Sequence, residues 1–229
     1  MIGVITGLRA EARCLRGLQV TIVCSGARPG RARAEAARLL AEGAAGLVSF
    51  GLAAGLAPDL RPGDLVIADA VSLPQGQPRS TDAAWRDRLL AALAEAGIGA
   101  RIGTVAGIER LLVTPAQKQG LLAVTDALAA DMESHAVAEE AGAAGKPFLV
   151  VRAISDAAGQ PLPASARSFL GLEGRIRPAR LLSALARPSE LAALLRLGLD
   201  TRRALGRLHQ VARTAGHCFE PPLPPSARD

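Results

Sequence analysis

Two textures alternate along the chain. Short, continuous apolar runs at 1–6, 18–24, 46–50, 65–71, 100–105, 128–132 and 148–154 read as strands buried on both faces. Between them lie Ala-rich segments at helical period, 8–15, 31–42, 82–96, 115–126 and 134–144. Asp82 stands where a helix N-cap is needed. Gly7, the Ser25-Gly26-Ala27-Arg28-Pro29-Gly30 turn and the Pro-containing stretch 73–81 punctuate the elements. Residues 51–56 read as a turn after the strand at 46–50. This alternation predicts an α/β fold of three layers, with a mixed central sheet covered on both faces.

In such folds ligands bind beyond the carboxyl ends of the strands. The chain offers residues 7–11, 25–28, 51–55, 131–133 and 155–156 there. No G-x-G-x-x-G follows the first strand, which leaves a dinucleotide fold weakly supported. From Pro161 the texture changes. Ser189 can cap a helix whose apolar stripe is Leu191, Leu194, Leu195, Gly198, Leu205, Leu208 and Val211. Arg196, Asp200, Arg203 and Arg207 lie on the opposite face. The expected division is a catalytic-type domain over 1–170, a basic helical extension over 171–215, and a Pro-rich tail over 216–229 that is disordered from Glu220.

Charge sharpens that division. The net charge is +6, yet between Arg167 and Arg213 ten arginines face three acids, so the basic character belongs to the C-terminal part. Its helix reads either as packing on the core or a subunit interface, or as a membrane-surface helix over 188–213. Nucleic-acid binding is disfavoured: the rest of the chain is near neutral and aromatics are 2%. There is no apolar run of spanning length and no secretory pattern at the start, and the three cysteines read as reduced thiols. These point to a cytoplasmic protein, with contact at the inner membrane face if the helix is used that way.

The chemistry-bearing residues cluster at predicted strand ends. Asp156 closes the run 148–154 and reads as a proton donor raised by burial, or as a turn or cap residue. Glu133 reads as a helix-start carboxylate or as an acceptor for sugar hydroxyls. Glu11 reads as a surface helix residue or as a group that activates water. His135 has no partner at metal-ligand spacing, so no metal is expected, and no organic cofactor is expected either. Trp85 reads as core or interface.

At these residues the chain resembles the purine nucleoside phosphorylase and 5'-methylthioadenosine/S-adenosylhomocysteine nucleosidase superfamily. The matching stretches are Ile2 to Glu11, Gly51 to Pro58, Pro62 to Val66, Asp131-Met132-Glu133 and Val151 to Asp156, in the family's order. The start, the Ser25–Gly30 loop and the Arg- and Leu-rich C-terminus look most like the hopanoid-associated phosphorylases. The resemblance implies cleavage of a purine N-glycosidic bond, with adenine leaving a lipid-linked adenosylhopane. It implies that Asp156 protonates N7, that Glu133 holds the ribose hydroxyls with Met132 against the sugar, and that Glu11 activates water. Asp131, Ser155, Ala53, Ala54 and Gly55 would line the substrate, and backbone at Phe148 and Val150 would meet the base edge. Arg28 and Arg31, at a Gly-rich helix start, suit phosphate as an alternative co-substrate. Hydrolysis is favoured by Glu11. Family members are oligomers, so a homodimer is expected. Asp131 and Leu52 depart from the nucleosidase pattern, and the segments after Leu15 and Val71 are short. A more open mouth would admit a bulky 5' substituent.

Overall fold

The computed structural model describes residues 1–163 and 188–219. Eight strands form one sheet: β1 (Ile2–Thr6), β2 (Thr21–Cys24), β3 (Gly46–Gly55), β4 (Leu65–Ser72), β5 (Arg79–Ser80), β6 (Arg101–Gly107), β7 (Ala129–Asp131) and β8 (Phe148–Asp156). The helices are α1 (Arg9–Cys14), α2 (Pro29–Ala41), α3 (Ala83–Glu95), α4 (Pro115–Thr125), α5 (Ser134–Ala143) and α6 (Pro188–Ala215), followed by a 3-10 turn, Gly216–Phe219. The three-layer arrangement with a mixed sheet is as expected from the apolar pattern. One helical layer, α2 and α5, buries Ala32, Ala36, Leu39, Val137 and Ala141. The other buries Trp85, Leu89 and Leu93 of α3 together with Ala204, Leu208 and Val211 of α6.

Several helix ends follow from local chemistry. Asp82 Oδ1 accepts from Trp85 N at 2.8 Å, as an N-cap should. Thr114 and Gln117 satisfy each other's backbone N–H groups at 3.2 and 3.1 Å, with Pro115 at the first helical position. α4 stops at Asp126, in the left-handed region at φ 51.

The sheet is not a simple stack. β3, β8, β4, β6 and β7 close into a ring of hydrogen-bonded neighbours, with β1 and β2 continuing outward from β3. β3 is ten residues long, where a turn was expected from Gly51. Small residues at 51, 53, 54 and 55 let it stay extended while strands pack on both edges. On one edge it pairs with β8 along nearly its whole length. The other edge is shared: β1 takes Gly46 to Ser49, running parallel, and β7 takes Ala54 and Gly55, running antiparallel. Because β7 runs against β3, its carboxyl end points back toward the end of β1. The carboxyl ends of β1 and β7 therefore face each other along this edge of β3.

α6 follows its predicted apolar stripe at Leu208 and Val211, which are buried, and departs from it nearer its start. Asp200, assigned to the polar side, is 5% exposed, whereas Leu195 and Leu199 are 62% and 58% exposed. Asp200 sits inside because Arg203 donates to it at 2.9 Å and Gln160 at 3.4 Å. The tail drawn from 216 also starts later: Cys218 and Phe219 are buried, Cys218 O accepts from Trp85 Nε1 at 2.6 Å, and the Phe219 ring packs edge-on against Phe50. The boundary at 170/171 and the residues from Glu220 lie outside the described residues.

Candidate active site

The edge of β3 between β1 and β7 is where the acidic side chains gather. β1 pairing ends at Ser49 and β7 pairing begins at Ala54, so the backbone between them needs another partner. Glu11, brought there by α1, fills that role: its Oε1 accepts from Leu52 N at 2.9 Å and its Oε2 from Leu8 N at 2.7 Å. A Cβ at Gly51 would lie 2.8 Å from the Glu11 carboxyl carbon, so only glycine leaves room for the group. Gly7 does the same for Glu133, whose Oε1 would lie 2.8 Å from a Cβ there. Ser25 Oγ donates to Glu133 at 3.2 Å.

The capping role falls to Asp131, not Glu133. Asp131 Oδ1 accepts from the N–H groups of Glu133 and Ser134, both at 2.7 Å. Its Oδ2 accepts from Arg152 Nε at 2.6 Å and from the Ser134 hydroxyl. Arg152, 1% exposed, also donates to the hydroxyls of Ser49 and Ser134. Both oxygens of Asp131 are thus committed to the protein. Its place among substrate-contacting residues is corrected: it orders the start of α5 and holds the one guanidinium buried among the described residues.

Three buried carboxyls then share one cation. Burial raises the Glu11 pKa above the usual carboxylate range, partly offset by its backbone N–H partners and by Arg152. Burial, and then the Asp131 charge, push Glu133 up to about 8. Burial acts on Asp131 too, but the Arg152 charge and hydrogen bonds outweigh it and hold Asp131 below its ordinary value. The cluster therefore keeps a proton on Glu133 near neutrality, with Arg152 as its buried cation.

Asp156 lies across β3. Ala54 pairs with Ala130 on one side and with Asp156 on the other. From strand spacing and rise, the backbones at 133 and 156 are on the order of 14 Å apart. Asp156 is neither cap nor exposed turn. It is 3% exposed, its Oδ1 accepts from Ser155 Oγ at 2.6 Å, and its Oδ2 accepts from Lys118 Nζ at 2.5 Å. Sequence reading missed Lys118. The signal was compositional: only Lys118 and Lys146 among 27 basic residues are lysines, and Lys118 sits among Ala, Gln, Gly and Leu.

The remaining expected residues divide. Ala53, Ala54 and Gly55 are the part of β3 lying between the two acidic groups, and Met132 and Ser155 are half-buried beside them. Phe148 and Val150 are not there, which is a correction. They begin the strand that Asp156 ends, and Phe148 is eight residues, roughly 26 Å, from it. Phe148 instead helps line a 440 Å³ surface cavity with Arg79, Asp82 and Lys146. The loop that does approach the Asp156 end follows β6: Ile108 N donates to Asp131 O at 2.8 Å, and Val113 O accepts from Leu162 N at 3.0 Å. Arg28 and Arg31 are exposed at the start of α2, where Arg31 reaches toward Glu35 at 4.0 Å.

The fold and this arrangement define a class, an α/β protein with buried carboxyls on both sides of one central strand, and comparison with known proteins agrees. The profile of the Phosphorylase superfamily matches residues 11–187, and the chain belongs to that superfamily. A 5'-methylthioadenosine/S-adenosylhomocysteine nucleosidase of Marinomonas sp. is 30% identical over 142 residues, covering 54% of this chain and 62% of that protein. The chain thus spans about three fifths of that curated relative. S-adenosylhomocysteine nucleosidase from Streptococcus pyogenes, in complex with 5-methylthiotubericidin, superposes with a TM-score of 0.70 at 20% identity, over 93% of this chain and 94% of that one. Futalosine hydrolase of Helicobacter pylori gives 0.66 at 20% identity, over 81% and 97%.

Proposed function

We propose that this protein cleaves the N-glycosidic bond of a purine nucleoside by hydrolysis, releasing adenine, and that its substrate carries a bulky apolar 5' group, as in adenosylhopane. One observation carries the reading: among the described residues, three buried carboxyls and a single buried guanidinium gather beside β3, so a cation formed there meets carboxyls that can give up a proton and pair with it. A ribosyl group that becomes cationic as the bond breaks suits such a place, and it is stabilised more than the neutral substrate. Glu133 takes the ribose hydroxyls in this reading, supported by its burial beside Ser25 and Gly7. Glu11 keeps free lone pairs beyond its two backbone bonds and can take a proton from an attacking water. Water adds at C1', the C1'–N9 electron pair goes to the purine, and Asp156 protonates a ring nitrogen. The bulky substituent is supported by the short connections after Leu15 and Val71 and by the hopanoid-associated resemblance of the start and C-terminus.

A second reading keeps the same chemistry with a smaller 5' group. The name of the Marinomonas relative favours it. Mass spectrometry of the purified protein with adenosylhopane and with 5'-methylthioadenosine, each with and without phosphate, separates the readings. Adenine and ribosylhopane without phosphate are expected. Turnover of methylthioadenosine alone would favour the second reading. A requirement for phosphate would assign phosphorolysis, with Arg28 and Arg31 as its first candidates. No adenine from either compound would remove the nucleosidase reading.

A further inference from the structure

Lys118 is the residue that neither the pattern nor the mechanism above uses. Its side chain is fully buried. Its ammonium has three N–H donors, and all three are placed: on Asp156 Oδ2 at 2.5 Å, on Ala157 O at 2.7 Å and on Gln160 O at 3.1 Å. The group that should give a proton to the purine therefore accepts from Lys118 at one oxygen and from Ser155 at the other. An acceptor at both oxygens must first gain a proton before it can donate one. The ammonium touching it can provide it.

We propose that Lys118 is a positioning residue of this reaction: it fixes Asp156 and the 157–160 turn, and supplies through Asp156 the proton that the departing purine takes up. The inference rests on the nucleosidase reading. As the C1'–N9 bond breaks, its electron pair enters the purine. Asp156 passes a proton to a ring nitrogen and takes one from Lys118 Nζ. Lys118 is left a neutral amine and Asp156 a carboxylate, and solvent returns the proton to Lys118 after the base leaves. Residue choice supports this. All but two of the 27 basic residues are arginines, which cannot give up a proton, yet the one fully buried against Asp156 is a lysine. Asp156 is the acidic side chain that Lys118 meets among the described residues. Beyond it, the Gln160 side chain leads to Asp200 of α6, which Arg203 holds.

The test compares Lys118→Arg and Lys118→Met on two substrates: the adenine nucleoside that the wild type turns over, and a 4-nitrophenyl riboside, whose phenolate leaves without a proton. Both variants should lose about 100-fold or more in kcat on the nucleoside, the scale of general acid catalysis, with KM little changed. On the nitrophenyl riboside both should stay within a few-fold of wild type. Arginine restoring the nucleoside rate, or equal losses on both substrates in a variant with native circular dichroism, would overturn the proposal. Should neither variant fold, the wild type alone decides. Its kcat should fall at alkaline pH with the nucleoside and not with the riboside, and the same alkaline limb on both overturns it. A wild type that releases no adenine refutes the nucleosidase reading itself, before any variant is made.

Discussion

Glu133 is stripped of water, faces Asp131, and has one hydroxyl partner in Ser25. Its proton is therefore held to about pH 8 in the folded protein and lost near 4.5 when unfolded. A raised carboxyl pKa means that the folded state binds the extra proton between those values. Stability should then fall as pH climbs from about 4.5 to about 8, by roughly 1.4 kcal/mol per unit at most, and level off above. Glu133→Gln removes the titration. Its Tm should match the wild type near pH 5 and exceed it by several degrees at pH 9, which thermal melts across pH will show. A wild-type Tm that rises between pH 5 and 8 relative to the variant would contradict this. Asp156→Asn tests the other carboxylate. Adenine release should drop by about 10²- to 10⁴-fold. Stability should fall too, because the fully buried Lys118 loses its counter-ion, and breaking such a pair costs about 3–5 kcal/mol. A variant with native Tm and native kcat would count against both assignments.

At the scale of elements, β3 and α6 do most to place the site. β3 offers one edge to two strands of opposite direction, and the interval between them receives Glu11 and the Asp131–Glu133 turn. α6 packs its Ala204, Leu208 and Val211 face on the layer containing Trp85, and Arg207 donates to Gly63 O at 3.2 Å beside the end of β8. Leu208 and Val211 of the expected stripe are thus packed on the core, while Leu195 of that stripe is exposed. Leu208→Ala should cost about 2–5 kcal/mol through the cavity it leaves. Leu199→Ala, on the exposed face, should stay within about 0.5 kcal/mol. Urea melts of the two variants give the comparison directly, and equal losses would mean that the helix packs by another face.

For the molecule as a whole, α6 and the turn after it belong to the folded unit. Removing 188–229 exposes Trp85, Phe50 and the strand faces beneath, so the truncated chain should aggregate or lose cooperative unfolding, as read by calorimetry. That outcome bears on the membrane question. No helix among the described residues is long and apolar enough to cross a bilayer. Peripheral contact through Leu195 and Leu199, with Arg196 and Arg202 alongside, is better tested in the full chain. Leu195→Gln with Leu199→Gln should abolish flotation with anionic vesicles if those leucines enter the acyl boundary. Flotation equal to wild type would leave them a surface without that use.

The sequence by itself determined most of the elements, their order and the two-sided burial of the sheet, and it singled out Glu11, Glu133 and Asp156 as candidates, while β5 and the second half of β3 were not legible in it. Apolar runs, helical period and short motifs are local properties, and each is set by neighbours in the chain. Tertiary structure alone decided how those residues are used. Asp131 turned out to serve Arg152, twenty-one positions away, and Asp156 turned out to be held by Lys118, thirty-eight positions before it. It also separated Phe148 and Val150 from the site, because a nine-residue strand carries its first residue to the far end of the sheet. Ion pairs and register join parts of the chain that no local pattern relates, and a buried charge announces its partner only once the surrounding water has been displaced.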